Sequence, residues 1–189
     1  IKQMRGEGVE RPTHVFIQAG VGAMAGAVLG LLASIFGKNQ PVTTIIEPTN
    51  AACIYESAKA DNTKPHNVTG DLDTIMAGLA CGEPNPIGWE ILRRSASCFI
   101  SCDDYVAANG MRILSNPVGN DKRIVAGESG AVGIGIMDLI TSETYLTGLK
   151  KDLGVNESST VLIFNTEGAT DPENYKNIVW YGKYPDINR

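Results

Sequence analysis

The sequence predicts an α/β fold in which helices cover both faces of a parallel sheet, giving three layers, α-β-α. Four short apolar runs have the length and β-branched content of buried strands, over residues 14–17, 42–46, 99–101 and 161–164. Segments with helical signals separate them, and strands that alternate with helices form parallel sheets. Because ligands bind such sheets at the carboxyl ends of the strands, the residues after each strand are the candidates for a site.

The helices are predicted from apolar content and from capping residues. Gly37 ends the first helix, Asp71 and Asp103 are placed to cap two others, and Pro172 opens the last. The helices are expected over residues 22–36, 51–59, 71–80, 89–95, 104–114, 143–153 and 172–181. One more helix is expected to begin at the glycine-rich turn 127–130 and to run to residue 140. Polar or proline-rich composition predicts loops over 61–67 and 82–86.

Length and composition bound the class of protein. A chain of 189 residues forms one domain or the larger part of one, and a net charge of −5 argues against a nucleic-acid partner, whose phosphates need a basic surface. No run reaches the roughly 20 apolar residues that span a bilayer, so no membrane partner is expected.

The polar N-terminus lacks the pattern of a signal peptide. The four cysteines predict free thiols in a cytoplasmic protein, and no metal-ligand spacing is present.

A glycine-rich turn follows the first strand and opens the first helix. It contains Gly20, Gly22 and Gly26. Backbone N–H groups at a helix N-terminus suit a phosphate, and glycine lets the backbone close around its oxygens. The spacing GxGxxxG, with Glu47 closing the second strand, equally permits a dinucleotide, because an acid at that position can bind a ribose. These residues leave both ligands open, and a tight turn with close packing is a third interpretation.

Longer segments resemble a known family. They are residues 12–30, 74–86, 119–121, 127–133 and 166–168, followed by Asp171, Val179 and Trp180. In this order they resemble the diaminopropionate ammonia-lyases, which depend on pyridoxal phosphate and have the tryptophan-synthase-β-like fold, fold type II. The similarity covers nearly the whole chain, but only the C-terminal half of the family's length.

The resemblance implies that residues 1–189 are the C-terminal portion of the cofactor-binding large domain of a fold type II enzyme, without the N-terminal half and most of the small domain. The family cleaves 2,3-diaminopropionate to pyruvate and ammonia by α,β-elimination. Its members hold pyridoxal 5′-phosphate on a lysine as a Schiff base, and no lysine of this chain has that sequence context. We therefore expect pyridoxal phosphate as cofactor, no catalytic residue in this chain, and no lyase activity from this chain alone.

The resemblance also assigns site residues. The backbone that holds the cofactor phosphate falls on Gly20, Val21, Gly22, Ala23 and Met24. Thr166 is the candidate hydroxyl for the pyridine nitrogen, although Asn165 stands where the family often has serine. Glu128 either lines the edge of the ring or complements the N-terminal charge of its helix. Cys53 and Cys81 fall where family members carry cysteines, so a reversible disulfide between them is an alternative to free thiols.

Two hypotheses from other classes stay open beside this one. The glycine turn with Glu47 allows an NAD(P)-binding oxidoreductase module, and the second alternative is a non-catalytic oligomerisation module. For the preferred hypothesis we expect a small amino-acid substrate, a homodimer, and neither nucleic acid nor a membrane as partner.

Overall fold

The sheet has four parallel strands and confirms the predicted fold class. The computed structural model describes residues 1–60 and 62–186, so residue 61 of the predicted loop 61–67 lies outside the described residues. The strands are β1 (His14–Gln18), β2 (Val42–Pro48), β3 (Cys98–Cys102) and β4 (Val161–Ile163). Their order is β3-β2-β1-β4, and every neighbouring pair is parallel. β1 lies in the interior of the sheet and is buried along its whole length.

Helices cover both faces of the sheet. Those of the described chain are α1 (Lys2–Gly6), α2 (Ala23–Phe36), α3 (Cys53–Lys59), α4 (Pro86–Ser95), α5 (Asp104–Ser115), α6 (Glu128–Ser142), α7 (Thr147–Leu153) and α8 (Pro172–Val179). Because neighbouring residues of a strand point to opposite faces, Val15 and Ile17 pack in one cluster with α2, α3 and α4. Phe16 packs in the other, with α5, α6 and α7. No helix of the described chain is long and apolar enough to cross a membrane.

The strand order creates a switch point beside β1. From β1 the chain moves outward through β2 to β3, and it then returns to β4 on the opposite side of β1. The connections on the two sides therefore diverge between β1 and β4, which leaves a crevice at the carboxyl ends of these strands. β1 ends at Gln18 and β4 at Ile163, so the residues that follow them lie at this crevice.

The predicted helix over residues 71–80 is wrong, because hydrogen bonds to distant residues hold much of this segment in an irregular path. Asp104, at the start of α5, accepts from the Thr74 hydroxyl (2.6 Å) and from the Ile75 N–H (3.1 Å). Asp71 accepts from the Asp73 N–H (3.2 Å) in a local turn instead of capping a helix. A short 3₁₀ helix over Ala77–Leu79 is the helical part of the segment.

Other helices differ from the prediction at their ends. α4 begins at Pro86 and not at residue 89, because the Asn85 side chain accepts from the Gly88 N–H (2.8 Å) and proline fits the first turn. Asp103 precedes α5, but its side chain makes no capping hydrogen bond. The predicted helix 143–153 is divided into a 3₁₀ helix and α7, and α8 ends before residue 181. α1 has no counterpart among the predicted helices.

Candidate functional site

A cleft of about 400 Å³ opens at the switch point, between the carboxyl ends of β1 and β4. Its walls come from the glycine turn after β1, the segment after β4, the start of α6 and the loop around Cys81. The lining residues are Gln18, Ala19, Gly20, Val21, Gly22, Ala23, Met24, Ala25, Gly78, Leu79, Cys81, Ser129, Thr166 and Glu167. The structure therefore brings the predicted phosphate turn and Thr166 together, and Glu128 is not part of the cleft.

The glycine turn forms a backbone wall of the cleft. Gly22 is the N-cap of α2 and has φ +83°, a left-handed conformation that glycine adopts readily. Since Gly22 has no side chain to cap α2, the N–H groups of the first helical turn are left for a ligand. A Cβ at Gly20 would lie 3.2 Å from Cys81 Sγ and 3.3 Å from the Gly78 carbonyl oxygen. Backbone conformation therefore favours glycine at position 22, and close packing favours glycine at position 20.

Packing behind the turn fixes its position. A Cβ at Gly22 would lie 2.9 Å from Ile54 Cδ1 in α3. A Cβ at Gly26 of α2 would lie 2.9 Å from Gly88 Cα in α4, so these two helices approach at the distance of backbone contact. The N-terminus of α2 is thus held between α3 and α4, and its amides form a wall that does not depend on flexible side chains.

The opposite wall is built from side chains, and Gln18 is at its centre. Gln18 is 1% exposed, and its amide nitrogen donates to the Phe164 carbonyl (3.0 Å) and to the Thr166 hydroxyl oxygen (2.7 Å). Thr166 lines the cleft, whereas Asn165 donates its side-chain amide to the Val125 carbonyl (3.1 Å) and is outside the lining. Thr166 is therefore the residue of this pair that offers a group to a ligand. Gln18 was not among the predicted site residues, and its signal in the sequence is a lone glutamine at the end of an apolar strand.

Glu167 joins the segment after β4 to the start of α6. Its carboxylate accepts from the Ser129 N–H (2.6 Å), and its carbonyl accepts from the Gly127 N–H (3.0 Å). A carboxylate at this position satisfies one of the free donors of the helix N-terminus. Glu128 also stands in the first turn of α6, but its carboxylate accepts from the Asn174 side chain (2.6 Å). Glu128 therefore lies in the first turn of α6 with its carboxylate bonded to Asn174, and its predicted contact with the edge of a ring stays a prediction.

Two buried polar atoms of cleft residues have no hydrogen-bond partner within the part of the chain that the structure describes. They are Gln18 Oε1 and Ser129 Oγ. Since buried polar atoms are nearly always paired in native proteins, unpaired atoms in residues that line a cleft indicate a polar ligand. Together with the amides of the glycine turn and the Thr166 hydroxyl, they fit a phosphate ester on a ring with a hydrogen-bonding nitrogen.

Glu47 argues against a dinucleotide in this fold. It is 1% exposed, and its two carboxylate oxygens accept from the N–H groups of Ile54 (2.9 Å) and Tyr55 (2.6 Å) at the start of α3. Burial raises the pKa of this carboxyl to about 8, although the two backbone N–H groups act in the opposite direction. A ribose cannot reach a carboxylate that is enclosed in this way. Glu47 instead holds α3 in place behind the glycine turn.

Cys53 and Cys81 both lie against Gly20. Cys53 Sγ donates to the Gly20 carbonyl at 3.7 Å, and Cys81 Sγ is the nearest atom that a Cβ at Gly20 would contact, at 3.2 Å. Both thiols are free in the structure. Burial, and after it the charge of Glu47, raises the pKa of the Cys53 thiol to about 12, so this thiol is protonated at neutral pH. The disulfide between these two residues stays a prediction.

The fold and the cleft together define a class of protein. It is a three-layer α/β domain with a cleft at its switch point, and a helix N-terminus at such a cleft suits a phosphorylated ligand. The profile of the family described as pyridoxal-phosphate dependent enzyme matches residues 1–164. The chain belongs to this family.

Curated relatives confirm the resemblance that the sequence motifs indicate. The chain is 53% identical over 185 residues to the diaminopropionate ammonia-lyase of Escherichia coli, a match that covers 97% of this chain and 46% of the relative. It is 47% identical over 173 residues to that of Salmonella typhimurium, covering 91% of this chain and 43% of the relative. The chain thus spans about half the length of the curated relatives it matches. The comparisons support neither an oxidoreductase nor an oligomerisation module.

Solved structures confirm fold type II. The holo diaminopropionate ammonia lyase from Escherichia coli matches with a TM-score of 0.87 and 52% identity, over 97% of this chain and 45% of that one. The same enzyme in complex with D-serine matches with a TM-score of 0.87 and 49% identity, over 97% and 45% of the two chains. Maize serine racemase, at 19% identity, shares the fold with a TM-score of 0.69 over 89% of this chain and 48% of its own.

Proposed function

We propose that residues 1–189 are the C-terminal portion of the cofactor-binding large domain of a pyridoxal-phosphate-dependent ammonia-lyase. The reaction is the α,β-elimination of 2,3-diaminopropionate to pyruvate and ammonia. The observation that carries the proposal is the cleft at the switch point, where an uncapped helix N-terminus faces a threonine hydroxyl and two unpaired buried oxygens. The relatives at 53% and 47% identity carry the name of this activity.

The phosphate of the cofactor binds to the glycine turn in this proposal. Gly20, Val21, Gly22, Ala23 and Met24 line the cleft and precede or begin α2. Their amides donate to the phosphate oxygens, and the partial positive charge of the helix N-terminus favours the anion. The tight packing of Gly20 and Gly22 holds these donors in place before the ligand arrives, which reduces the ordering cost of binding.

The side-chain wall would hold the ring of the cofactor. The Thr166 hydroxyl would donate to the ring nitrogen, and it accepts from the Gln18 amide. When bound, pyridoxal phosphate supplies a ring that takes up the electron pair left when the α-proton departs. A neutral hydroxyl partner does not force a proton onto the ring nitrogen, so Thr166 moderates this electron uptake.

The residues that hold the cofactor covalently and move the α-proton lie outside this cleft in the proposal. No lysine among residues 1–60 and 62–186 lines the cleft. A lysine that would hold the cofactor covalently must be supplied from elsewhere, so the chain by itself would bind the cofactor without catalysing the elimination. Formation of pyruvate from 2,3-diaminopropionate by the purified chain would contradict this division of roles.

Ligand titration tests the proposal on the chain as it is. Pyridoxine 5′-phosphate is the probe, because its alcohol needs no lysine, and pyridoxine without phosphate is the matched control. We expect saturable binding of the phosphorylated compound, competition by inorganic phosphate, and binding of unphosphorylated pyridoxine that is weaker by at least about tenfold. Tight binding of NAD together with no binding of pyridoxine 5′-phosphate would overturn the proposal in favour of the oxidoreductase module.

We also propose that the protein forms a homodimer and takes a small amino acid as substrate. Support for self-association comes from α2, where Leu31 and Ile35 are 54% and 42% exposed. Support for an amino-acid substrate comes from the solved Escherichia coli enzyme, which is described in complex with D-serine. Sedimentation of the chain tests the dimer, and a stable monomer at micromolar concentration contradicts it.

A further inference from the structure

Gln18 is a buried amide with an unusual set of partners. Its neighbours in β1 and after it, Phe16, Ile17 and Ala19, are buried hydrophobic residues. Burying an amide costs free energy unless its groups are hydrogen-bonded. The nitrogen of Gln18 makes two hydrogen bonds, but its oxygen is buried without a partner in the described chain. An amide that keeps one unsatisfied end in the core needs an explanation.

The partners of Gln18 determine which way its amide points. The Phe164 carbonyl oxygen, 3.0 Å away, can only accept, so the Gln18 atom facing it must be the nitrogen. The same nitrogen lies 2.7 Å from Thr166 Oγ1. A flipped amide would place its oxygen against the carbonyl oxygen of Phe164. The amide is therefore held in one orientation, although that orientation leaves Gln18 Oε1 unpaired.

This orientation decides the role of the Thr166 hydroxyl. A hydroxyl has one proton to donate and two lone pairs to accept with. Since Thr166 Oγ1 accepts from Gln18, its proton remains available for another acceptor. Thr166 is exposed and lines the cleft, so an acceptor atom of a ligand in the cleft can complete this chain of hydrogen bonds.

We propose that Gln18 is a positioning residue that makes the Thr166 hydroxyl a donor to the cofactor's ring nitrogen, and so favours the unprotonated ring. This inference rests on the proposed function, because it takes the ligand to be the cofactor. Gln18 itself does not touch the reacting atoms. It acts through Thr166, and the orientation that this role requires leaves Gln18 Oε1 unpaired within the described chain and available to a polar ligand.

The protonation of the ring nitrogen is measured directly by NMR. The chain is titrated with pyridoxine 5′-phosphate labelled with ¹⁵N in the ring, and the nitrogen chemical shift is followed with pH in the free and bound ligand. We expect the pH of half-protonation to fall by about one unit or more on binding, a tenfold change in the protonation equilibrium. No catalytic activity is needed for this readout.

Variants separate positioning from simple support of the fold. Gln18→Met keeps an unbranched side chain but removes the donor. We expect it to raise the pH of half-protonation of the bound ring nitrogen, the midpoint, which corresponds to a change of about threefold to tenfold in the protonation equilibrium. Thr166→Val should raise it in the same way, and Thr166→Ser should retain the wild-type midpoint. Thr44→Val is the matched control, because Thr44 Oγ1 is buried and unpaired within the described chain but lies outside the cleft.

Each outcome has a distinct meaning. Absence of binding by wild type overturns the proposed function and this inference with it. Binding with an unchanged midpoint, or a midpoint that Gln18→Met does not move, overturns the inference and leaves the proposed function standing. If Gln18→Met does not fold, Gln18→Glu carries the test, because its carboxylate accepts from Thr166 and must raise the midpoint above wild type. A Gln18→Glu midpoint equal to wild type then overturns the inference.

Discussion

The two walls of the cleft are built in different ways. The wall at residues 20–24 uses backbone N–H groups of one short segment, which requires a glycine at positive φ and a glycine at a crowded position. The wall at Gln18, Ser129, Thr166 and Glu167 uses hydrogen bonds that join distant parts of the chain. Gln18 and Thr166 are 148 positions apart, and Ser129 and Glu167 are 38 apart.

This difference sets how each wall responds to mutation. The backbone wall depends on conformation and packing, so a side chain added at a glycine disturbs several amides at once. The side-chain wall is a set of separate hydrogen bonds, and loss of one of them typically costs about 1 kcal/mol. Changes in the backbone wall should therefore abolish ligand binding, whereas changes in the side-chain wall should alter stability or the state of the ligand in smaller steps.

The largest effect is expected from Gly22→Val. A branched side chain at φ +83° is strained, and its Cβ would lie 2.9 Å from Ile54 Cδ1. We expect the free energy of unfolding to fall by about 3 kcal/mol and the affinity for pyridoxine 5′-phosphate to fall by at least about a hundredfold. Urea denaturation and ligand titration measure the two effects.

Gly148→Ala is the control for this substitution. A Cβ at Gly148 would meet no atom within 4 Å, so both stability and affinity should stay close to wild type. A Gly22→Val variant that binds the ligand as tightly as the control would show that the backbone wall is not the phosphate site.

A pH dependence of stability is expected from Glu47, which lies behind the backbone wall. Because burial raises its pKa from 4.5 to about 8, the folded chain holds a proton between these values that the unfolded chain has lost. Stability is therefore greatest at low pH in this window and falls as pH rises from about 5 to about 8, by about 3 kcal/mol. Glu47→Gln should remove most of this slope in urea denaturation at several pH values. An equally steep slope in Glu47→Gln contradicts the assignment.

A moderate effect is expected from Glu167→Gln in the side-chain wall. The substitution removes the charged acceptor of the Ser129 N–H, which lies 2.6 Å away. We expect a loss of about 1–2 kcal/mol in the free energy of unfolding and a severalfold loss of affinity for pyridoxine 5′-phosphate. Glu157→Gln, at an exposed position outside the cleft, is the control. Equal stability of the two variants would argue against Glu167 as the residue that joins β4 to α6.

The smallest effect concerns the thiols beside Gly20. With oxidised glutathione as the oxidant, which is reduced as the bridge forms, we expect the thiols titrated after denaturation to fall from four to two. The reaction should be slow, because Cys53 is buried and its raised pKa keeps it protonated. Cys53→Ser should prevent the bridge, and Cys98→Ser should still lose two thiols. Four free thiols in the oxidised wild type contradict a Cys53–Cys81 disulfide.

Contiguous patterns in the sequence predicted much of the fold and the candidate residues of the glycine turn, and the family resemblance added Thr166 on the opposite wall. The four strands were visible as short apolar runs, and the glycine turn as a strand-to-helix junction. The order of longer motifs indicated the family, which the comparisons confirm. Local pattern failed over residues 71–80, where helical propensity is overridden by the bonds from Thr74 and Ile75 to Asp104.

The sequence by itself therefore determined the α/β class, the position of the glycine turn and the family, because each depends on contiguous segments and on their order along the chain. The tertiary structure decided the rest. It placed Gln18 behind Thr166, made Glu167 the partner of Ser129, and enclosed Glu47 so that it holds α3 and cannot bind a ribose. The physical reason is that a side-chain hydrogen bond forms between residues that are close in space. Folding brings together residues that are far apart in the sequence, and a local sequence pattern does not indicate which ones.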